Sequence, residues 1–398
     1  MSIAAVPTYL GNDFQDASPG MRFGMYLTLW EGAAWSKTRD KPLDGVKRLG
    51  DNDKKTMQAL IARQERCFDA VASSESTLRL EAQSIAPFTT GLGNEHPLEN
   101  GFAFLNPYGL PYLPGSGVKG VLRQAARELA SGEWGETHGW DEEHPHPKSL
   151  SQGERDLAER ECLSVVDILF GLESKNGDTE HLRGALSFWD VIPRIKGDSL
   201  MVEIMTPHQK HYYQDGQSPH DSGQPTPISF LTVPPGSGFT FHVQCDPAHL
   251  KRLSPKLAID GQWQKLIEAA FEHAFQWLGF GAKTAVGYGA MRSDKQRQAQ
   301  EAAAAERAEQ LKEIARKQEE ERQAEQAVPW PGARIKFNRN NGTLSVEKDG
   351  KSASALAPQG KELLETLPSE IQKKVLANQF IKVTAYVCEK TLIRLEMA

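Results

Sequence analysis

Gly115, Lys119 and Gly120 stand at the mouth of a helical run, in the stretch YLPGSGVKGVLRQAAREL from Tyr112 to Leu129. A lysine between two glycines raises the question of a nucleotide phosphate. A Walker loop needs glycine, four residues, then Gly-Lys-Ser/Thr, so that the lysine reaches the β- and γ-phosphates. Gly115 and Gly120 have that separation, but Val121 follows and Lys119 precedes the second glycine, which excludes the Walker geometry. What remains is a proline-glycine turn feeding an amphipathic helix. Val118, Val121, Leu122, Ala125, Ala126 and Leu129 recur at helical spacing, while Lys119, Arg123 and Arg127 share another stripe. Two readings stand: the free N–H groups of the first turn, with Lys119 and Arg123, grip the phosphates of an RNA backbone, or this is a capped core helix with solvated basic residues.

A second glycine cluster, GFGAKTAVGYG at 279–289, sets Gly279, Gly281, Gly287 and Gly289 around Lys283 and Thr284. A dinucleotide fingerprint needs a glycine where Thr284 stands and follows a strand, whereas this run follows a helical pattern. Close-packed glycines let one backbone approach another, so the loop suits a phosphate chain or a tight turn into the last strand. MTPHQKHYYQDG (205–216) places His208 and His211 beside Tyr212 and Tyr213; this fits RNA or subunit contact, a plain loop, or acid–base cleavage of RNA. HGWDEEHPHPK (138–148) is metal-capable in composition but lacks the ligand spacing of a zinc site, and no metal or cofactor is expected.

The elements that position these residues alternate along residues 1–293. STLRLEAQSIAP (76–87) reads as a strand, followed by the loop FTTGLGNEHPLENG and the Lys119 helix. Then come a helix over ERDLAERECLSVVDILFGL, a strand at RGALSFWDVIPR, two extended runs in ISFLTVPPGSGFTFHVQCD, and a strong helix, DGQWQKLIEAAFEHAFQWLGF. The pattern is α+β, with a β-α-β core of the ferredoxin or RRM type and large insertions. Residues 294–327 contain no glycine, proline or aromatic residue and predict one long charged helix; Leu311 and Ile314 are too few for a coiled-coil seam. Residues 328–398 predict a small β-rich domain of the OB type, with a hairpin turning at Asn341-Gly342.

The chain of 398 residues carries a formal charge of −6, which argues against coating nucleic acid by bulk charge. Residues 328–398 are the basic part, with 11 lysines and arginines against seven acids; Phe337, Phe380 and Tyr386 there suit base stacking or the core, and the domain suits RNA contact or protein docking. The four cysteines are dispersed, so neither a disulfide framework nor a zinc ribbon is indicated, and the absence of an apolar run of membrane length predicts a cytoplasmic protein without membrane contact.

Taken together, these segments resemble the RAMP superfamily of CRISPR-associated proteins, whose hallmark is a glycine loop before the last strand, here GFGAKTAVGYG. LPYLPGSGVKGVLR is similar to its proline-glycine-serine-x-x-lysine-glycine-x-x-arginine motif. More narrowly, GLGNEHPLENGFAFLNPYGLPYLPGSGVKGVLR, DILFGL with RGALSFWDVIP, and TPHQKHYYQDGQSPHDSGQPTPISFLTV are similar, in order, to the sixth RAMP subunit family of the Cmr (type III-B) effector, a likeness covering roughly residues 20–293. The resemblance implies a ferredoxin-like fold and a non-catalytic subunit near the end of a helical backbone, gripping the 3′ part of a guide RNA, with target RNA and other RAMP and small subunits as partners. By position, Gly115, Ser116, Gly117, Lys119, Gly120 and Arg123 match the lysine-glycine motif, and Gly279, Gly281, Lys283, Thr284, Gly287 and Gly289 the final loop; His208 joins them as a candidate RNA contact. Gly117 stands where the family often has a second serine. In backbone subunits that cut target RNA, an aspartate follows the first strand; FTTGLGNEHPLENG has none, and no catalytic role passes to Glu95 or Glu99. The rival reading is a stand-alone RAMP endoribonuclease that processes precursor guide RNA, with His208 or His211 as general acid or base.

Overall fold

The structure, a computed structural model, describes residues 2–11, 13–38, 42–145, 162–172, 181–206, 212, 216, 218 and 227–397. The chain divides into two compact units, 1–298 and 299–398.

In the first unit the elements that matter are α1 (Asp51–Val71), β1 (Thr77–Ser84), α2 (Gly115–Ala130), α3 (Val165–Phe170), β2 (Leu186–Phe188), the hairpin β3 (Met201–Met205) with β4 (Ile228–Thr232), β5 (Gly238–Cys245), α4 (Gln262–His273) and β6 (Met291–Ser293). Four strands form one antiparallel sheet in the order β2-β5-β1-β6. Helix α2 lies in the chain between β1 and β2, and α4 between β5 and β6, so the architecture is α+β with β-α-β-β-α-β connectivity. The apolar stripes read from the sequence do the packing: Leu122, Ala125 and Ala126 of α2 and Leu266, Ile267 and Phe271 of α4 join Leu78, Phe239, Phe241 and Met291 in one core. Strand β5 is buried on both faces, because its alternate residues Thr240 and His242 are also covered. Phe68 of α1 closes over His242 at 4.5 Å between ring centroids, so α1 shields part of the sheet's second face.

The run expected to be helical through Leu172 behaves differently where it is described. Cys162–Ser164 is extended, and the helix is only Val165–Phe170. The Ser164 hydroxyl accepts the Asp167 N–H to cap its start. It stops at Gly171, whose φ of 96° no helix continues.

Asp294–Glu325, most of it in the second unit, is a single helix, α5, with no buried side chain. Strands β7 (Val328–Asn338), β8 (Thr343–Lys348), β9 (Lys351–Ala355), β10 (Lys382–Cys388) and β11 (Thr391–Met397) close a barrel in the order β7-β8-β9-β11-β10, with α6 (Gln359–Glu365) and α7 (Ser369–Leu376) between β9 and β10. Its interior is largely aliphatic, built from Ile335, Leu344, Val346, Val383, Leu392 and their neighbours. Phe337 is 9 % exposed and belongs to that core, which removes it from the candidate stacking residues. The first hairpin turns through four residues, not the two of Asn341-Gly342: Asn338 pairs with Thr343, and the Gly342 N–H donates to the Asn338 carbonyl at 2.9 Å.

Candidate nucleic-acid interface

Strand topology gathers the two glycine segments at one end of the sheet. Strands β1 and β2 both run antiparallel to β5, so both leave the sheet at the same end, and β6, antiparallel to β1, enters there. The glycine loop 279–289 precedes β6, and the turn before α2 is tied to the segment after β2 by the Leu113–Val191 bridge.

The glycine loop is held by backbone bonds to the segment after β1. The Ala282 N–H donates to the Thr89 carbonyl and the Gly289 N–H to the Pro87 carbonyl, both at 2.8 Å, while the Phe280 N–H closes onto the Gly289 carbonyl at 3.0 Å. Gly281 (φ 92°) and Gly289 (φ 70°) have no room for a side chain: a Cβ there would lie 2.2 Å from the Thr89 carbonyl oxygen and 1.8 Å from that of Phe280. Gly279 and Gly287 also take positive φ, and so does Lys283 at 59°, an uncommon conformation for a side-chain-bearing residue. Thr284 opens a short 3₁₀ turn closed by the Gly287 N–H on the Thr284 carbonyl at 2.9 Å. The strained backbone aims Lys283 across the hairpin, its Nζ 5.7 Å from the Phe230 ring centroid, within cation–π range. Tyr288 packs on the same ring and reaches Glu203 of β3; burial first, then the charge of Glu203, holds its phenol above the usual range. Phe230, Glu203 and Tyr288 thus brace the loop. Their long sequence separation gave no local signal, and ISFLT reads on its own as a buried strand.

At the other glycine segment the structure divides the expected residues. Gly115 is fixed by packing, since a Cβ would sit 2.2 Å from the Phe188 carbonyl oxygen. Its N–H donates to Asp190 Oδ1 at 2.7 Å, and the N–H groups of Gly117 and Val118 bond to the Pro114 carbonyl. The first-turn N–H groups expected to meet a phosphate are therefore largely used inside the fold. Ser116 and Gly120 are exposed and Lys119 is half-buried. Arg123 departs most from expectation: 8 % exposed, it donates through Nη2 to the Gly171 carbonyl at 2.7 Å with the Asp167 carboxylate at 3.9 Å. It ties α2 to the end of α3 and does not stand beside Lys119 on the surface. The i+4 stripe fails here because α3 covers that part of the helix. Neither Lys119 nor Lys283 has an ion-pair partner among the described residues.

His208 and His211 lie outside the described residues, as does His146 of the histidine-bearing loop. Among the described residues no cluster of histidine, cysteine and acidic side chains could hold a metal ion, and no helix is long and apolar enough to cross a membrane. One titratable group escaped sequence reasoning: His242 is 2 % exposed, neither ring nitrogen has a hydrogen-bond partner among the described residues, and burial, helped by Arg79 and Arg194, pushes its pKa down to about 4.

The sequence profile of the RAMP superfamily matches residues 81–292, a span from β1 through the glycine loop. Over 236 residues the chain is 29% identical to the CRISPR system Cmr subunit Cmr6 of Pyrococcus furiosus, covering 50% of this chain and 63% of that protein. The match thus spans less than two thirds of that relative's length. Among solved structures, a chain of the type III-B Cmr-beta complex bound to cognate target RNA aligns with a TM-score of 0.39 at 19% identity, over 63% of this chain and 69% of that one. The crystal structure of Cmr6 from Pyrococcus furiosus aligns with a TM-score of 0.28 at 26% identity, over 55% of this chain and 97% of that one.

Proposed function

Because the chain belongs to the RAMP superfamily, we propose that it is a non-catalytic RNA-binding subunit of a cytoplasmic type III-B CRISPR effector complex, holding a guide RNA near its 3′ part beside target RNA and contacting neighbouring RAMP and small subunits. The observation that carries the reading is the profile match over 81–292, which takes in both the Lys119 turn and the glycine loop; the Pyrococcus furiosus relative is a Cmr subunit of a CRISPR system. The sheet order β2-β5-β1-β6, with one helix crossing after β1 and another after β5, supports a ferredoxin-like or RRM-like body with insertions over 1–293. A charged helical spacer over 294–327 then leads to a basic domain over 328–398, whose barrel order supports an OB type.

In this reading the glycine loop lets an RNA backbone come close, because positive-φ glycines present main chain where other residues present side chains. Lys283 and Lys119 supply charge to phosphates, with Ser116, Gly117, Gly120 and Thr284 as small neighbours along the path. Phosphate contacts of this kind fix register without reading sequence. Arg123 positions α2 from inside. The loop after β1 contains no aspartate, which supports the non-catalytic assignment. The test is purification of the tagged protein from its native host, with sequencing of bound RNA and mass spectrometry of accompanying chains. We expect RNAs sharing a short repeat-derived 5′ handle together with several RAMP chains; a lone protein, or one carrying long uncut repeat transcripts, overturns the assignment.

A further inference from the structure

The outer face of the C-terminal barrel carries a second arrangement, independent of the glycine loop. Strand β10 turns Val383, Ala385 and Val387 inward, so Lys382, Thr384 and Tyr386 point out. Arg334 of β7 stands opposite Lys382, and Arg394 of β11 opposite Tyr386. Each arginine lies over an aromatic ring: the Arg334 guanidinium is 4.7 Å from the centroid of Phe380, and that of Arg394 is 4.2 Å from the centroid of Tyr386. Phe380 is 61% exposed, just before β10, and takes no part in the core. Lys336 extends the row along β7. From Lys382 to Tyr386 the strand advances about 13 Å, so the two arginine-capped rings lie about that far apart on one face, with Thr384 and, opposite it, Glu396 between them.

The acids on this face act at the edges of the platforms. The Tyr386 hydroxyl donates to Glu396 Oε2 at 2.9 Å, and the other Glu396 oxygen meets Arg394 at 3.0 Å; Glu347 stands opposite Arg334 across the β7–β8 ladder. The Glu396 contacts hold the Tyr386 ring and the Arg394 guanidinium together. Flat rings and guanidinium planes, with Lys336 and Lys382 beside the Arg334 pair, match a polymer that alternates flat bases with negative phosphates: bases stack on aromatic and guanidinium planes, and the cationic groups meet the phosphates. A charge excess of 11 bases over seven acids in residues 328–398 favours a polyanion over an acidic or neutral protein surface of equal size. We propose that this face, with Phe380 and Tyr386 as stacking platforms and Arg334, Lys336, Lys382 and Arg394 as the cationic groups, is a binding site for single-stranded nucleic acid, separate from the glycine loop of the body.

The test uses the full chain carrying Lys119→Glu and Lys283→Glu, so that the body's charged contribution is weakened, and fluorescence anisotropy with labelled ten-nucleotide oligouridylate and oligothymidylate. Binding should persist in that background, weaken roughly tenfold with Phe380→Ala and again with Tyr386→Ala, and survive Tyr386→Phe, which keeps the ring. Arg334→Gln, an exposed change that leaves Phe380 intact, should also weaken it. Equal affinity for the two oligonucleotides assigns recognition to bases and phosphates, and a preference for uridylate adds a 2′-hydroxyl contact; either supports the site. Loss of all binding in the doubly substituted body, indifference to the barrel substitutions, or native partner chains lost with Phe380→Ala while oligonucleotide binding is unchanged, overturns it. A failure of the body's RNA reading leaves this arm untouched, because it would show instead as no effect of Lys119→Glu and Lys283→Glu.

Discussion

The glycine loop of the body and the outer face of the barrel offer a nucleic acid two different surfaces. The first is main chain, shaped by glycines at positive φ and by hydrogen bonds to residues 87–89. The second is side chain, rings and guanidinium planes standing on regular strands. A surface built from backbone resists charge changes but tolerates no added atom where it is closely packed; one built from side chains tolerates single changes in proportion to what each ring or charge supplies.

The largest expected effect tests the backbone half. Gly289→Ala places a methyl 1.8 Å from the Phe280 carbonyl oxygen at a φ of 70°, so the loop must open or the strand after it must shift. We expect a destabilisation of about 3 kcal/mol or more, read as a fall in the urea midpoint, together with loss of RNA binding. An unchanged midpoint would break the contrast, because it would mean that the loop's shape does not depend on glycine. Charge reversal at Lys119 and Lys283 is the milder test of the same site. Each should lower RNA affinity regardless of sequence and reduce the slope of log affinity against log salt by about one; a sequence-dependent loss would show that these lysines read bases instead.

Much of this division was legible in the sequence, and the failures have physical causes. Glycine runs and helical periodicity are local signals, so the loop, the Lys119 helix and the long charged helix follow from neighbouring residues. Arg123 and Phe337 failed because burial is decided by what packs on them from afar: α3 over Arg123, and the closed barrel around Phe337. Phe230, Tyr288 and Glu203 were invisible because their meeting depends on the hairpin folding against the glycine loop. The first turn of α2 misled because Asp190, 75 residues from Gly115, takes its N–H.

His242 gives the comparison a pH axis that belongs to the body alone. Its pKa is pushed from 6.5 to about 4 by burial, then by Arg79 and Arg194. Between those values the unfolded chain binds the proton and the folded one does not, so stability is complete above pH 6.5 and falls as the pH drops towards 4. The loss should be about 2 kcal/mol at the acid end, measured as urea midpoints at pH 7 and pH 4.5. His242→Phe should flatten that difference. A variant as pH-sensitive as the parent would assign the acid lability to other groups.

The smallest effect separates packing from ligand approach within a single helix. Gly115 and Gly120 look equivalent in sequence, yet a Cβ at Gly115 would strike the Phe188 carbonyl while one at Gly120 meets nothing within 4 Å. Gly120 lies inside α2 and is exposed, so Gly120→Ala removes backbone freedom from the unfolded chain without a clash and should raise stability by about 0.5–1 kcal/mol. If an RNA backbone passes over this turn beside Lys119, the added methyl stands in its path, and affinity should fall roughly threefold although the fold is firmer. A gain in stability with unchanged affinity would move the RNA path off the first turns of α2 and leave Lys119 acting through its long side chain alone. No gain in stability would mean that the glycine was never a cost to the helix.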